Sequence, residues 1–263
     1  MESNGTENHF IHQMLQISPG QHRLIGVVGA GGKSTLIYRL AREFRTMGYR
    51  PAVTTTTHMF REGMYGFSPI GNGVCGEKIE GFSPEVPREL LEEYDFVLVE
   101  ADGSRRLPFK VPAKHEPVLP EGVDLVIGVA GAGAIGQTFR KGCCRWEEAC
   151  RRFGCEPEES ITIRHLLASL TGSFGQKKGV TCDYRYVIGQ GDLLSSEQME
   201  DICRIGSKYR ELGAVLSFTD DRFWNIMIPS KHTKDTRTYD KETIDIGSNR
   251  TTEKGISGCR MYP

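Results

Sequence analysis

One stretch near the N-terminus constrains the fold of this chain more than any other. The apolar run Leu24–Val28 ends in a cluster of glycines, which Lys33, Ser34 and Thr35 follow, and an apolar-periodic segment then begins at Leu36. This order predicts a strand, a phosphate-binding loop and a helix. Glycines let backbone N–H groups turn inward around an anion, and the N-terminus of a helix adds a positive dipole.

The loop has a short form of the phosphate-binding motif, G-x-x-G-K-S. The longer pattern G-x-x-x-x-G-K-[ST] is not met, because Val27 occupies its first position. In such a loop the lysine reaches the β- and γ-phosphates and the hydroxyl holds Mg²⁺. A glycine turn with a surface lysine would leave the run Gly-Lys-Ser-Thr unexplained. We therefore predict a site for ATP or GTP with Mg²⁺, formed by Gly29, Ala30, Gly31, Gly32, Lys33, Ser34 and Thr35.

Strand-like and helix-like segments alternate along the chain. We predict strands at Arg23–Val28, Arg50–Thr54, Tyr94–Glu100, Leu125–Ala130, Tyr184–Ile188 and Ala214–Phe218. We predict helices at Ser34–Met47, Pro87–Glu93, Trp146–Gly154, Ser160–Leu170 and Ser196–Leu212. The segment Phe60–Pro87 is rich in Gly and Pro, which indicates a loop with one hairpin near Val74–Ile79. The alternation predicts an α/β fold, a parallel sheet flanked by helices in the manner of P-loop NTPases.

The chain divides into three predicted parts. Residues 1–20 form a lead segment with a short helix over Phe10–Ile17, and residues 21–228 form the P-loop nucleotide-binding domain. Residues 229–263 are polar and lack periodicity, which predicts a disordered tail.

Charge and apolar patterning argue against nucleic acid and membrane as partners. The net charge is −1 and no basic block occurs, so nucleic acid is not favoured. No apolar stretch approaches the ~18 residues of a membrane span, and the N-terminus carries no signal peptide. We expect a soluble cytoplasmic protein that binds neither nucleic acid nor membrane.

Two acidic residues follow a buried apolar run. Glu100 lies at the carboxyl end of a predicted strand, which is the edge where open α/β sheets bind ligands. A carboxylate there can hold Mg²⁺ through water or orient a nucleophile, and Asp102 is a second candidate. The plainer alternative is that either caps a turn at Gly103. We predict Lys33, Glu100 and Asp102 as catalytic residues, with Ser34 and Glu100 at the Mg²⁺.

Two further polar segments belong to the same predicted edge. A threonine run follows the second strand, and its hydroxyls can coordinate Mg²⁺ or receive a γ-phosphate, although threonine also favours strands. A dense polar stretch follows Glu100 and can face phosphates or an anionic second substrate, although each charge alone is also typical of a solvated loop. We predict a substrate or switch region of Thr55, Thr56, Thr57, His58, Arg105, Arg106, Lys110, His115 and Glu116.

Two other patterns are weaker. Gly131–Gly136 matches the dinucleotide motif G-x-G-x-x-G, but Gly142 interrupts the following helix and no second strand ends in an acid at the required distance. A cysteine cluster lacks the C-x-x-C pairs of zinc sites, so buried or incidental thiols are expected rather than a metal site. Its members are Cys143, Cys144, Cys150 and Cys155.

The chain resembles the YqeC family over about residues 10–220. The resemblance lies in four stretches that stand in the family's order, namely Val27–Thr35, Val53–Met59, Val97–Lys110 and His115–Pro120. That family is described as accessory proteins of selenium-dependent hydroxylases. The resemblance implies a role in maturation of a molybdenum hydroxylase that carries a labile selenium, with the hydroxylase as a partner. The phosphate loop also resembles that of Mur ligases, which share the short form and use ATP.

The resemblance leaves the base and the reaction open. Gly189–Asp192 stands where relatives tend to read Asn-Lys-x-Asp, which is similar to a guanine-reading motif, and this implies that Asp192 contacts the base. Three functions are compatible with the residues. The first is a triphosphate-hydrolysing accessory protein, and the second is an ATP-dependent small-molecule kinase or ligase that holds its acceptor with Arg105–Glu116. The third is a non-catalytic scaffold gated by nucleotide.

Overall fold

The computed structural model describes residues 10–226 and the backbone of residues 259–262. The strands are β1 Leu24–Gly29, β2 Pro51–Thr55, β3 His58–Phe60, β4 Gly73–Cys75, β5 Lys78–Glu80, β6 Phe96–Glu100, β7 Phe109–Lys110, β8 Leu125–Gly131, β9 Cys143–Cys144, β10 Asp183–Gly189, β11 Leu212–Ser217, β12 Arg222–Ile226 and β13 Cys259–Tyr262. The helices are α1 Ile11–Met14, α2 Lys33–Thr46, α3 Val86–Glu89, α4 Phe139–Gly142, α5 Trp146–Phe153, α6 Ile163–Thr171 and α7 Ser196–Gly206.

The central sheet has the strand order β13-β12-β11-β10-β8-β1-β6-β2. It is parallel from β11 to β2, while β12 and β13 pair antiparallel at the other edge. Every residue of β1, β6 and β8 is buried, as expected for apolar strands covered on both faces. The predicted α/β class, a mostly parallel sheet flanked by helices, is confirmed.

Apolar cores cover both faces of the sheet, two of them large and one small, around Val97 and Val99. Side chains of α1 and α2 pack on one face, where the rings of Phe44 and Phe96 stack with their centroids 3.8 Å apart. Side chains of α5, α6 and α7 pack on the other face, around Val126 and Leu166. Burial of these apolar side chains supplies the main driving force for folding. The packing fixes the sheet, so the carboxyl ends of its parallel strands lie along one edge.

The predicted elements match the observed ones within a few residues, with two differences. The last predicted helix ends early, at Gly206, and β11 begins at Leu212, where the helix was predicted to end. The predicted hairpin is present as β4 and β5, but β3 pairs with β5 and makes a three-stranded sheet. This small sheet begins directly after β2, so it stands beside the carboxyl edge of the main sheet.

The two ends of the chain were predicted less completely. Helix α1 falls within the expected Phe10–Ile17 helix. Strand β13 lies in the range predicted as a disordered tail and pairs with β12; residues 229–258 and 263 of that range lie outside the described residues. Within the described residues, no helix has the length and apolarity needed to cross a membrane.

Candidate functional site

The phosphate loop joins β1 to α2 through three glycines with positive φ. The φ angles are 101° at Gly29, 76° at Gly31 and 128° at Gly32, a region that side chains disfavour. A Cβ at Gly31 would lie 2.3 Å from the backbone nitrogen of Gly131, so the loop packs directly on the turn that follows β8. Gly131, the first glycine of the G-x-G-x-x-G match, therefore lies where the two backbones come into close contact.

A cleft of about 860 Å³ opens along the carboxyl edge of the sheet. The residues Gly31–Thr35, at the start of α2, line its centre. Gly29 and Ala30 do not line it. Their amides are also occupied, since the Gly29 amide donates to Asp102 and the Ala30 amide donates to the Val129 carbonyl at 2.9 Å. The N–H groups available to an anion in the cleft are therefore those from Gly31 onward.

The two ends of the cleft differ in chemistry. The loops after β2 and β6 and the strand β5 form one end, which presents cationic and aromatic side chains: His58, Phe60, Lys78, Arg105 and Arg106. The turns after β8 and β10 form the other end, which presents amide and apolar side chains: Gln137, Gln190 and Leu193. Since β1 lies between these strand pairs, the phosphate loop separates the two ends.

A hydroxyl and a carboxylate meet in the centre of the cleft. The Ser34 hydroxyl donates to Oε2 of Glu100 at 2.7 Å. The contact arises because β6 neighbours β1, with Glu100 in register with Val27. Glu100 is 8% exposed, so its carboxylate is open to the cleft only at its edge. Paired oxygen donors of this kind fit Mg²⁺, which prefers carboxylates, hydroxyls and water.

Lys33 lies at the base of the same cleft. Its Nζ donates to the carbonyl of Gly29 at 2.8 Å, and it lies 3.4 Å from Oδ1 of Asp102 and 3.7 Å from Oε1 of Glu100. Burial alone would lower the pKa of Lys33, but the two carboxylates outweigh it and raise the pKa. Lys33 is therefore protonated at neutral pH.

Asp102 lies beneath the loop. Both of its oxygens accept the Gly29 amide, at 3.1 and 2.9 Å, and its side chain is fully buried. It does not line the cleft. This position differs from the expectation of a catalytic group facing substrate, because the carboxylate is occupied by the loop amide and by lysines. It makes Asp102 a residue that positions the loop.

Lys110 and Glu116 are also buried, although the sequence placed them in a charged loop. The Nζ of Lys110 lies 3.0 Å from Asp102 Oδ2 and 3.0 Å from Glu116 Oε2. Glu116 is held by Arg145 through two hydrogen bonds of 3.0 and 2.7 Å. Burial alone would raise the pKa of Glu116, but Arg145, the Ala113 amide and Lys110 together lower it to about 2. Neither residue faces the cleft.

Arg145 was missed by the sequence reasoning. It precedes α5 with a φ of 66° and lies 29 residues from Glu116 in the chain. No motif marks it, and its pairing with Glu116 appears only in the folded chain.

The threonine run is engaged in backbone contacts. The Thr55 hydroxyl donates to the carbonyl of Glu100 at 2.7 Å, and the Thr56 hydroxyl donates to the carbonyl of Val118 at 2.6 Å. The Thr57 amide donates to the Thr55 hydroxyl at 3.0 Å. These threonines tie the end of β2 to its neighbours, while His58 is the member of this run that lines the cleft.

The remaining predicted residues lie in different places. Arg105 and Arg106 are exposed in the cleft, and the Arg106 guanidinium lies 4.4 Å from the centroid of the Phe60 ring. His115 is exposed but does not line the cleft. Asp192 follows β10, does not line the cleft, and accepts hydrogen bonds from Ser217 and Thr219 at 3.3 and 3.4 Å.

The cysteine cluster consists of free thiols. Burial raises the pKa of Cys143 and raises the pKa of Cys155 to about 12. Among the described residues, no group of three or more His, Cys, Asp or Glu side chains could hold a metal ion.

The sequence matches the model of one protein family. That model, described as YqeC protein, covers residues 25–147. A relative from Escherichia coli (strain K12), "Uncharacterized protein YqeC", is 31% identical over an alignment of 217 positions that covers 68% of this chain and 84% of the relative. The chain belongs to the YqeC family. The YqeC match includes the phosphate loop and every charged residue from Lys33 to Arg145 described above.

One solved structure is similar in arrangement. A crystal structure of FlhF complexed with GMPPNP and Mg²⁺ is 16% identical, and the likeness covers 78% of this chain and 71% of FlhF with a TM-score of 0.40.

Proposed function

We propose that this YqeC-family protein binds a nucleoside triphosphate with Mg²⁺ in the cleft and hydrolyses it. The observation that carries the proposal is the contact of 2.7 Å between the Ser34 hydroxyl and the Glu100 carboxylate, at the N-terminus of α2 and beside the buried Lys33. A glycine loop, a helix N-terminus, a lysine, a hydroxyl and a strand-end carboxylate are the groups that phosphoryl transfer requires.

Each group has a part in this proposal. The amides from Gly31 onward and the Lys33 ammonium bind the phosphate oxygens. Ser34 and Glu100 would hold Mg²⁺, which when bound neutralises charge on the phosphates. The Glu100 carboxylate also orients the attacking water, because it can accept a hydrogen bond from it. Asp192 is exposed and lies between Gln190 and Leu193, which line the cleft, and it is the residue proposed to contact the base of ATP or GTP.

The proposed cellular role is maturation of a selenium-dependent molybdenum hydroxylase in the cytoplasm. Its support is the resemblance described above, and the hydroxylase is the proposed partner. The role can be tested by complementation in a host that makes the hydroxylase and lacks this protein. Complementation with the parent restores hydroxylase activity and bound selenium, and Lys33→Ala does not. Equal restoration by Lys33→Ala would contradict a nucleotide-dependent role.

A second candidate function is an ATP-dependent kinase or ligase. The observation that favours it is the cationic end of the cleft, where Arg106 and Lys78 both lie against the Phe60 ring, at 4.4 and 5.3 Å from its centroid. An anionic acceptor held there would lie in the same cleft as the phosphate loop.

Calorimetry with ATP and GTP, with and without Mg²⁺, followed by mass spectrometry of the products, tests these functions. Mg²⁺-dependent binding supports the first proposal, and absence of binding contradicts it. Turnover stimulated by a hydroxylase favours the accessory role, and turnover that requires a small acceptor favours the kinase or ligase. Binding without turnover would favour the third function, a non-catalytic scaffold gated by nucleotide.

A further inference from the structure

A chain of charges with alternating sign runs from the phosphate loop to the start of α5. Its members are Lys33, Asp102, Lys110, Glu116 and Arg145. Successive charged atoms lie 3.4, 3.0, 3.0 and 2.7 Å apart. The side chains of Lys33, Asp102 and Lys110 are 4%, 0% and 0% exposed, so water does not stabilise the central charges.

Asp102 is the point in this chain where two cations meet one anion. A buried carboxylate that loses its cationic partner destabilises a protein strongly. In the proposed function, Lys33 exchanges its contact with Asp102 for contacts with phosphate oxygens. That exchange is favourable only if Asp102 keeps another cation.

Lys110 is placed to remain with Asp102. Its Nζ also donates to the Gly103 carbonyl at 2.6 Å and lies 3.0 Å from Glu116. Its backbone is held as well, since its carbonyl accepts from Ser169 at 3.1 Å and from Gln176 at 2.8 Å. None of these partners belongs to the phosphate loop, and Lys110 does not line the cleft.

We propose that Lys110 is a positioning residue for triphosphate binding: it compensates the Asp102 charge when Lys33 turns to the phosphates, so that Asp102 keeps its bond to Gly29. This inference rests on the proposed function and assigns a role to a lysine that never touches the nucleotide. Lys33 is the movable cation because it alone of the two lines the cleft.

The test is a pair of variants measured for affinity toward Mg²⁺ and a β,γ-imido analogue of ATP or GTP. Lys110→Met leaves Lys33 as the sole lysine beside Asp102, so affinity falls about tenfold or more. Adding Asp102→Asn removes the charge that needs compensation and keeps an oxygen for the Gly29 amide. The double variant therefore recovers affinity relative to Lys110→Met alone.

Lys178→Met is the matched control. Lys178 donates to the carbonyls of Ala113, Lys114 and Glu116 at 2.6, 2.7 and 2.8 Å, so its loss loosens the same loop and leaves Asp102 with both lysines. Its affinity for the analogue stays within a few-fold of the parent. Melting temperatures of all variants separate loss of fold from loss of binding.

Two results would overturn the inference: parental affinity in Lys110→Met, or a double variant that binds as weakly as Lys110→Met or more weakly. If Lys110→Met does not fold, the double variant is compared with Asp102→Asn alone. We expect the two to bind the analogue with affinities within a few-fold of each other, and a tenfold weaker affinity of the double variant would contradict the proposal. A parent that binds no triphosphate would instead remove the proposed function itself.

Discussion

Asp102 binds Gly29 through both carboxylate oxygens, which accept one backbone amide at 3.1 and 2.9 Å. The contact joins the segment after β6 to the last residue of β1, two neighbouring parallel strands. It holds the loop where Gly29 has a φ of 101°. The path of the phosphate loop is therefore set by a carboxylate that lies outside the loop.

Glu100→Gln is expected to slow nucleotide turnover by ~10² or more, with a smaller effect on nucleotide affinity. The amide keeps an oxygen toward Ser34 but loses the charge that acts on water or metal. Steady-state turnover and calorimetric affinity on the same preparation check this. Parental turnover in the variant would make Glu100 a structural residue.

Glu116→Gln is expected to reduce the free energy of unfolding at neutral pH by on the order of 3 kcal/mol, because it breaks a buried pair with Lys110 and Arg145. The pKa of Glu116 falls from 4.5 to about 2 in the folded protein, so its contribution is present above pH 4.5 and is lost as the pH falls toward 2.

Urea unfolding of the parent and of Glu116→Gln between neutral pH and pH 2 measures this contribution. The two stability curves should converge in the acid range. Glu121→Gln, at an exposed carboxylate, is the control and should follow the parent throughout. A constant difference between the Glu116 variant and the parent would show that the charge of Glu116 is not the cause.

Arg106→Ala and His115→Ala are expected to weaken turnover that depends on a second substrate or protein partner, and to leave triphosphate affinity within a few-fold of the parent. Arg106 lies at the cationic end of the cleft, and His115 lies outside the cleft in an exposed position. Arg61→Ala, which removes an exposed arginine that does not line the cleft, is the control.

Both quantities are measured on the same preparations of Arg106→Ala and His115→Ala. Loss of nucleotide affinity alone would place the residue in the phosphate site. No change in either quantity would make it an ordinary surface charge.

The strand and loop order was predictable because apolar runs and glycines encode it locally. The meeting of Ser34 and Glu100 was also predictable, since carboxyl ends of adjacent parallel strands share one edge. The burial of Lys110 and Glu116 was not. Their sequence context is a polar, proline-containing loop, and only its closure onto Arg145 excludes water.

Strand β13 could not be predicted from the sequence either, for a different reason. The segment Cys259–Tyr262 is four residues long and carries no clear alternation, so nothing in the sequence separates it from the polar residues before it. Its register is set by pairing with the distant Arg222–Ile226 strand.

The decisive measurement for nucleotide binding is the affinity of Lys33→Ala for Mg²⁺ with ATP or GTP. The variant removes the loop cation, and Asp102 keeps Lys110 at 3.0 Å, so the fold is expected to survive with a cooperative melting transition. We expect calorimetry to detect triphosphate binding in the parent and none in Lys33→Ala, a loss of several kcal/mol. Equal affinity in the folded variant and the parent would contradict it.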